Sequence, residues 1–125
     1  MVEQLTDVPP GALGFRISGH LRRADYTDVL LPPIRAAVER GDRLRILVDI
    51  DPSFDGLEPG ALVEDLKAAL DLGLRHRSAW ERFAIVSDAD WVRRAVALFG
   101  WVTPGELRVF GAAELEPAKA WLAAG

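Results

Sequence analysis

The sequence has no cysteine and no long hydrophobic run, and each of these absences excludes a class of protein. It also has only two lysines, so its basic residues are nearly all arginine. Without cysteine the chain has no disulfide, no thiolate nucleophile and no cysteine-based zinc site, which fits a reducing compartment. No apolar run approaches the roughly 20 residues that a membrane-spanning helix needs. The first residues show neither the basic region nor the apolar core of a secretory signal. We therefore expect a cytoplasmic protein, with peripheral attachment to a membrane as the alternative.

The chain also lacks the positive charge that a nucleic-acid-binding protein needs. Nineteen acidic residues outnumber 15 basic ones, which gives a net charge of −4. Because phosphate neutralisation supplies most of the affinity for nucleic acid, we expect no nucleic-acid partner. The short arginine clusters are typical of solvated surfaces. At 125 residues, half of them hydrophobic, residues 1–125 are expected to form a single domain with its own core.

The hydrophobic pattern predicts an α/β fold. Residues 44–50 are almost continuously apolar, as in a strand covered on both faces, whereas residues 13–19 alternate as in a half-exposed strand. A weak strand at residues 2–8 precedes a Pro-Pro-Gly turn, which predicts an antiparallel edge pair. Pro32 and Pro33 predict either two short helices or one bent helix before residue 41. The complete order is ββαβαβαβα, with a mostly parallel five-stranded sheet, one antiparallel edge strand and four helices.

The loop that follows the central strand is the first candidate site. It contains polar and acidic residues with glycine and proline, and a helix is predicted to begin at Pro59. Ligands and partners of open α/β sheets usually bind at such strand-to-helix crossings. The candidate residues in this loop are Asp51, Ser53, Phe54, Asp55 and Gly56.

A second candidate surface lies on the third predicted helix, at residues 88–102. Its core-facing stripe leaves Trp91, Leu98 and Trp101 partly outside, beside Arg93 and Arg94. One interpretation is that the tryptophans pack against the rim of the sheet. The other is that they form an edge for a protein partner, a second copy of the chain or a membrane surface.

The catalytic motifs are weak or absent. Asp49 and Asp51, with Asp88 and Asp90, loosely match the acidic motifs of haloacid-dehalogenase-type phosphatases, which hold Mg²⁺. That family has its first motif near the N-terminus, whereas here two strands and a helix come first. Asp is also common wherever strands lead into helices. No glycine-rich phosphate loop or serine-hydrolase motif occurs. We therefore predict no catalytic residue, no metal site and no cofactor.

The order of elements and several short motifs resemble the SpoIIAA-like family, within the STAS-like and CRAL-TRIO-like fold group. The segments that carry the resemblance span almost the whole chain: Gly19-His-Leu, Asp25-Tyr26, Leu47-Val-Asp-Ile-Asp51, Phe54-Asp-Gly56, residues 61–67, residues 82–86 with Trp91, residues 105–110 and residues 118–122. In classical members of the STAS type, a serine that begins the helix after the central strand is phosphorylated. Residues 57–61 contain no hydroxyl, and Ser53 comes too early, so the resemblance does not extend to that switch.

These observations predict a non-enzymatic module that binds a protein partner, a second copy in a homodimer, or a small ligand. Its working surface would be loop 51–58 and helix 88–102. The alternative is a protein that binds lipid or another apolar ligand, or associates with a membrane, with a cavity lined by Val63, Leu74, Trp91 and Leu98. The last alternative is a Mg²⁺-dependent phosphoryl-transfer enzyme that uses Asp49 or Asp51.

Overall fold

A computed structural model describes residues 1–54, 56–57, 80–99 and 105–124 of the chain. Three helices in this part of the chain are α1 (Leu31–Glu39), α2 (Asp90–Phe99) and α3 (Leu115–Ala123). The strands are β1 (Val2–Leu5), β2 (Leu13–Ile17), β3 (His20–Leu21), β4 (Leu44–Ile50), β5 (Gly56–Leu57), β6 (Trp80–Val86) and β7 (Glu106–Phe110).

The main sheet has five strands in the order β1-β2-β4-β6-β7. Strand β1 pairs antiparallel with β2, and every other pair is parallel, which confirms the predicted mixed sheet with an antiparallel edge strand. Strands β3 and β5 form a separate parallel pair that the sequence did not predict. Two-residue strands are too short for a hydrophobic period, so no pattern could reveal them.

The prediction of four helices is corrected to three for the described residues. The prediction of a helix that begins at Pro59 falls outside them. Before α1 the chain forms a short helical turn and a π-helix, Tyr26–Leu30. Pro32 and Pro33 then occupy the first turn of α1, where a missing N–H leaves no hydrogen bond unmade. This confirms the break that the two prolines predicted.

Strand β4 divides the core into two halves. On one face, Ile46 and Val48 pack with Phe15 and with Ile34 and Ala37 of α1. On the other face, Leu47 packs with strands β6 and β7 and with α3. Leu44, Ile46 and Leu47 are each at most 1% exposed, which confirms that this strand is covered on both sides.

Two arginines of the sheet hold the C-terminal end of α3. Arg45 donates hydrogen bonds to the carbonyl oxygens of Leu122 and Ala124, at 2.8 and 2.9 Å, and Arg82 donates to that of Trp121. The last carbonyls of a helix have no partner within the helix and carry its negative dipole end, so a guanidinium satisfies both needs. Arg82 also stacks on the Trp121 ring, 5.0 Å from its centroid. Helix α3 is thereby fixed to β4 and β6.

The Arg45 guanidinium also pairs with Glu81, and this hydrogen bond lowers the pKa of the Glu81 carboxyl. A lowered folded-state pKa means that the unfolded chain binds the proton more readily. The pair therefore contributes stability above the ordinary carboxyl pKa of 4.5, and that contribution is lost as the pH falls through the folded-state value.

We expect Arg45→Ala to lower the free energy of unfolding by about 1–3 kcal/mol, because it leaves helix carbonyls and a partly buried carboxylate without their donor. Urea denaturation followed by circular dichroism measures the change. Arg40→Ala is the matched control, since the Arg40–Asp42 pair is exposed and should contribute less than about 1 kcal/mol. Equal losses in the two variants would contradict the special role of Arg45.

Candidate functional site

Strands β4, β6 and β7 end at the same edge of the sheet, and a cleft of about 330 Å³ opens there. Three chain segments line it: the loop after β4, the turn before α2 and the residue that follows the β7 exit. The lining residues are Ile50, Asp51, Pro52, Phe54, Ser87, Asp88, Ala89 and Ala112. The cleft therefore lies outside the carboxyl ends of the parallel strands, the side of open α/β sheets on which ligands usually bind.

The first wall is a tight turn built on Asp51. The Asp51 N–H donates to the carbonyl of Ile17, which anchors the loop to β2, and the Asp51 carbonyl accepts from the N–H of Phe54. The Asp51 carboxylate in turn accepts from the backbone N–H of Ser53 at 2.9 Å. This side-chain turn, which Asp forms readily, fixes both Asp51 and Phe54 beside the cleft.

The same turn is tied to the chain between β2 and β3. The Ser53 hydroxyl oxygen accepts a hydrogen bond from the backbone N–H of Gly19 at 3.1 Å. Gly19 has a φ of 60°, a left-handed conformation that glycine adopts without steric cost. Ser53 therefore links the cleft wall to the β3–β5 pair.

The second wall begins at Ser87, which is only 2% exposed. Its backbone N–H donates to the carbonyl of Phe110, and its hydroxyl oxygen accepts from the N–H of Ala89 at 3.1 Å. Asp88 joins this wall to the third segment, because its carboxylate accepts from the N–H of Ala112 at 2.9 Å. Each wall thus presents one carboxylate held by a backbone donor.

Gly111 is enclosed by two carboxylates at the base of the third segment. A Cβ atom at this position would lie 3.0 Å from Asp88 Oδ1 and 3.1 Å from Glu114 Oε1. Glu114 accepts from the Gly111 N–H at 2.8 Å, so the two acidic groups converge on one glycine. A side chain at position 111 would displace one of them, and the rim of the cleft would lose an ordered negative charge.

Hydrogen bonding keeps the Asp51 carboxylate in its charged form. The Ser53 backbone N–H is the main cause that lowers the pKa of Asp51, followed by the Ser53 hydroxyl and the charge of Arg16. The Arg16 guanidinium donates to the Asp49 carboxylate at 3.1 Å on the neighbouring strand. Asp49 is therefore held in an ion pair, while Asp51 faces the cleft as an anion.

The structure brings together only some of the predicted site residues. Asp51 and Phe54 line the cleft, Ser53 shapes its wall from an exposed position, and Gly56 pairs with His20 in the two-stranded sheet. Trp91 and Leu98 lie on helix α2, and their side chains fall outside the described part of the structure. The predictions at Asp55 and Trp101 fall outside the described residues.

Sequence reasoning missed two contributors to the cleft. Ser87 was not among the predicted site residues, yet its backbone and hydroxyl both shape the second wall. Ala112 carries no chemical signal at all, and it lines the cleft because β7 ends beside β6. Only the strand order could have revealed either role.

The described residues contain no cluster of three or more His, Cys, Asp or Glu side chains that could hold a metal ion. Within the same residues, no helix has the length and apolar character to cross a membrane.

Comparison with known proteins places these features in a family. The model of the SpoIIAA-like family matches residues 12–123 of the chain. The fold is also similar to the crystal structure of an uncharacterized protein from the DUF3478 family with a SpoIIAA-like fold, from Shewanella loihica PV-4. The two share 28% sequence identity with a TM-score of 0.70, over 97% of this chain and 93% of the other. No curated protein matches the sequence significantly.

Ser53 donates two hydrogen bonds to the Asp51 carboxylate, one from its backbone N–H and one from its hydroxyl, and a mutation can remove the second alone. We expect Ser53→Ala to raise the pKa of Asp51 only part of the way to its ordinary value of 3.8, because the backbone N–H bond remains. Carboxyl titration by NMR measures the shift, and the other carboxylates of the protein are the internal control. An unchanged Asp51 titration would show that the hydroxyl has no effect. In the wild type, the stability that Asp51 contributes is lost as the pH falls through its lowered pKa.

Proposed function

This chain belongs to the SpoIIAA-like family, and from that premise we propose that it is a non-enzymatic binding module whose site is the cleft at the carboxyl edge of the sheet. The observation that carries the proposal is the cleft itself, which three separate chain segments enclose. The proposed occupant is a small ligand, or one side chain of a protein partner.

The size and composition of the cleft support a small occupant. Its volume of about 330 Å³ is at the lower end of the range for ligand sites in proteins. The apolar part of the lining comes from Ile50, Phe54 and Ala89, and the polar part comes from the two carboxylates and the Ser87 hydroxyl. Such a mixture suits a ligand with an apolar body and a polar end.

The polar groups favour a ligand that donates hydrogen bonds or carries positive charge. Asp51 is held as an anion, and one oxygen of each carboxylate is already fixed by a backbone N–H, so the carboxylates are oriented before any ligand arrives. Among the described residues, the one basic group that acts on Asp51 is Arg16, which is itself engaged by Asp49. A cationic group in the cleft would complete the local charge balance.

The arrangement of Asp49 supports a binding role rather than phosphoryl transfer. A carboxylate nucleophile must be free to attack, and a Mg²⁺ ligand must offer its oxygen to the ion. Asp49 instead accepts a hydrogen bond from Arg16, at 3.1 Å, with its Oδ2 atom.

Native mass spectrometry of the freshly purified protein, beside its denatured mass, tests the binding proposal. We expect an added mass that dissociates on activation, because the proposal places a non-covalent ligand in the cleft. Ala89→Phe should remove the added mass by filling the cleft, whereas Ala97→Phe, at an exposed position on α2, should retain it. An added mass that survives equally in both variants would place the ligand elsewhere, and an acyl-chain mass would favour the lipid alternative.

Calorimetric titration with Mg²⁺ tests the non-enzymatic part of the proposal. We expect no binding heat at millimolar Mg²⁺, because Asp49 is already neutralised by Arg16. A binding isotherm that disappears in Asp49→Asn, together with phosphatase activity above background, would contradict the proposal and support phosphoryl transfer.

A further inference from the structure

Strand β7 forms one edge of the main sheet. It pairs with β6 on one side, and no other strand of the described chain pairs with it on the other. Unpaired backbone N–H and C=O groups on an edge strand are available to a second strand, and a protein normally protects such an edge or uses it. The question is therefore which chain could pair with β7.

The backbone pattern shows which residues of β7 face outward. The carbonyl of Phe110 accepts from the N–H of Ser87, the residue that follows β6, so the backbone groups of Phe110 point inward. In a parallel ladder, alternate residues bond to the same neighbour, so Glu106 and Arg108 also bond to β6. The N–H and C=O groups of Leu107 and Val109 consequently point away from the sheet.

The exposed side chains of β7 carry opposite charges two residues apart. Glu106 and Arg108 are both exposed and lie on the face covered by α3, since Arg108 stacks 5.4 Å from the centroid of the Trp121 ring. Glu106 lies 3.8 Å from Arg82, at the limit of an ion pair. No carboxylate in the described part of the chain pairs with Arg108, which leaves an oriented guanidinium at the edge.

We propose that β7 pairs antiparallel with β7 of a second copy of this chain, with Leu107 opposite Leu107 on the two-fold axis. In this register Glu106 of each copy faces Arg108 of the other, so the strand is complementary to itself. The Glu106–Arg108 positions form non-hydrogen-bonded pairs, in which side chains approach most closely. The proposed contact lies outside the cleft lining and is independent of the cleft ligand.

Charge selects this register among the ones that the backbone permits. The outward groups must face each other, so Leu107 or Val109 of one copy must lie opposite Leu107 or Val109 of the other. Pairing Leu107 with Val109 would place the Arg108 side chains of the two copies opposite each other. Pairing Val109 with Val109 would place Arg108 of each copy opposite Phe110 of the other. Charged residues often block the pairing of edge strands. Here the alternation of sign converts the same residues into two cross-strand ion pairs.

Sedimentation equilibrium over a concentration series tests the proposal with a charge exchange. We expect a wild-type dimer. Glu106→Arg and Arg108→Glu should each raise the dimer dissociation constant by about ten-fold or more, since the two-fold axis repeats every like-charge contact. The double variant Glu106→Arg/Arg108→Glu should restore the dimer, because the exchanged charges again face each other. Circular dichroism melts confirm that each variant is folded.

A wild-type protein that stays monomeric at every concentration would overturn the proposal. So would single variants that dimerise as tightly as the wild type, since the dimer would then use another surface. A folded double variant that remains monomeric would also overturn it, because mutual complementarity is the basis of the register. Exchanging charges at Arg93 and Asp90 on α2, both exposed, provides a control that should leave association unchanged.

Discussion

The architecture depends on one constraint: the main sheet grows in a single direction from β2 through β4 and β6 to β7. Crossovers between parallel strands are right-handed, so successive crossovers in one direction all fall on the same face. Among the described residues, the helix that covers the other face is α3, which has only nine residues. Burial of Ala118 and Leu122 would hold such a short helix weakly, and the two arginines that bind its last carbonyls compensate. The same strand order brings three loop segments together at the carboxyl ends of β4, β6 and β7, where the cleft forms.

The sequence was sufficient wherever a residue pattern has a period or a strong local preference. The continuous apolar run of β4, the alternation in β2 and the proline pair in α1 each predicted its element correctly. Strand β6 begins at Trp80, although Glu81 and Arg82 interrupt the apolar pattern of the residues that follow. Those two residues are nevertheless part of the strand, and their side chains make polar contacts with distant residues: Arg82 binds α3 and Glu81 binds Arg45. Long-range polar pairing of this kind leaves no mark in a hydrophobic pattern.

The candidate site was predictable only in part, for a related reason. Asp51 and Phe54 belong to a loop whose composition indicates a turn at a strand end, so they could be found. Ser87 and Ala112 belong to the cleft only because β6 and β7 are neighbours and end at the same level. A residue that acts by position rather than by chemistry is visible only once the strand order is known. Asp51 and Asp88 illustrate both cases. A carboxylate is a residue type that suggests a binding site, but only the structure shows which backbone N–H groups hold these two.

The division of the core by β4 also has a consequence for how the protein is made. The buried residues of the face packed against α1 all lie between Val2 and Val48, so most of this half can assemble while later segments are still being translated, and Trp80 and Phe83 join it when β6 follows. The opposite face needs Ala118 and Leu122, which are translated after every strand of the main sheet. Until then Leu47, Ala84 and Val86 present an uncovered apolar surface on the nascent chain. That interval is when chaperone binding and aggregation compete with completion of the fold.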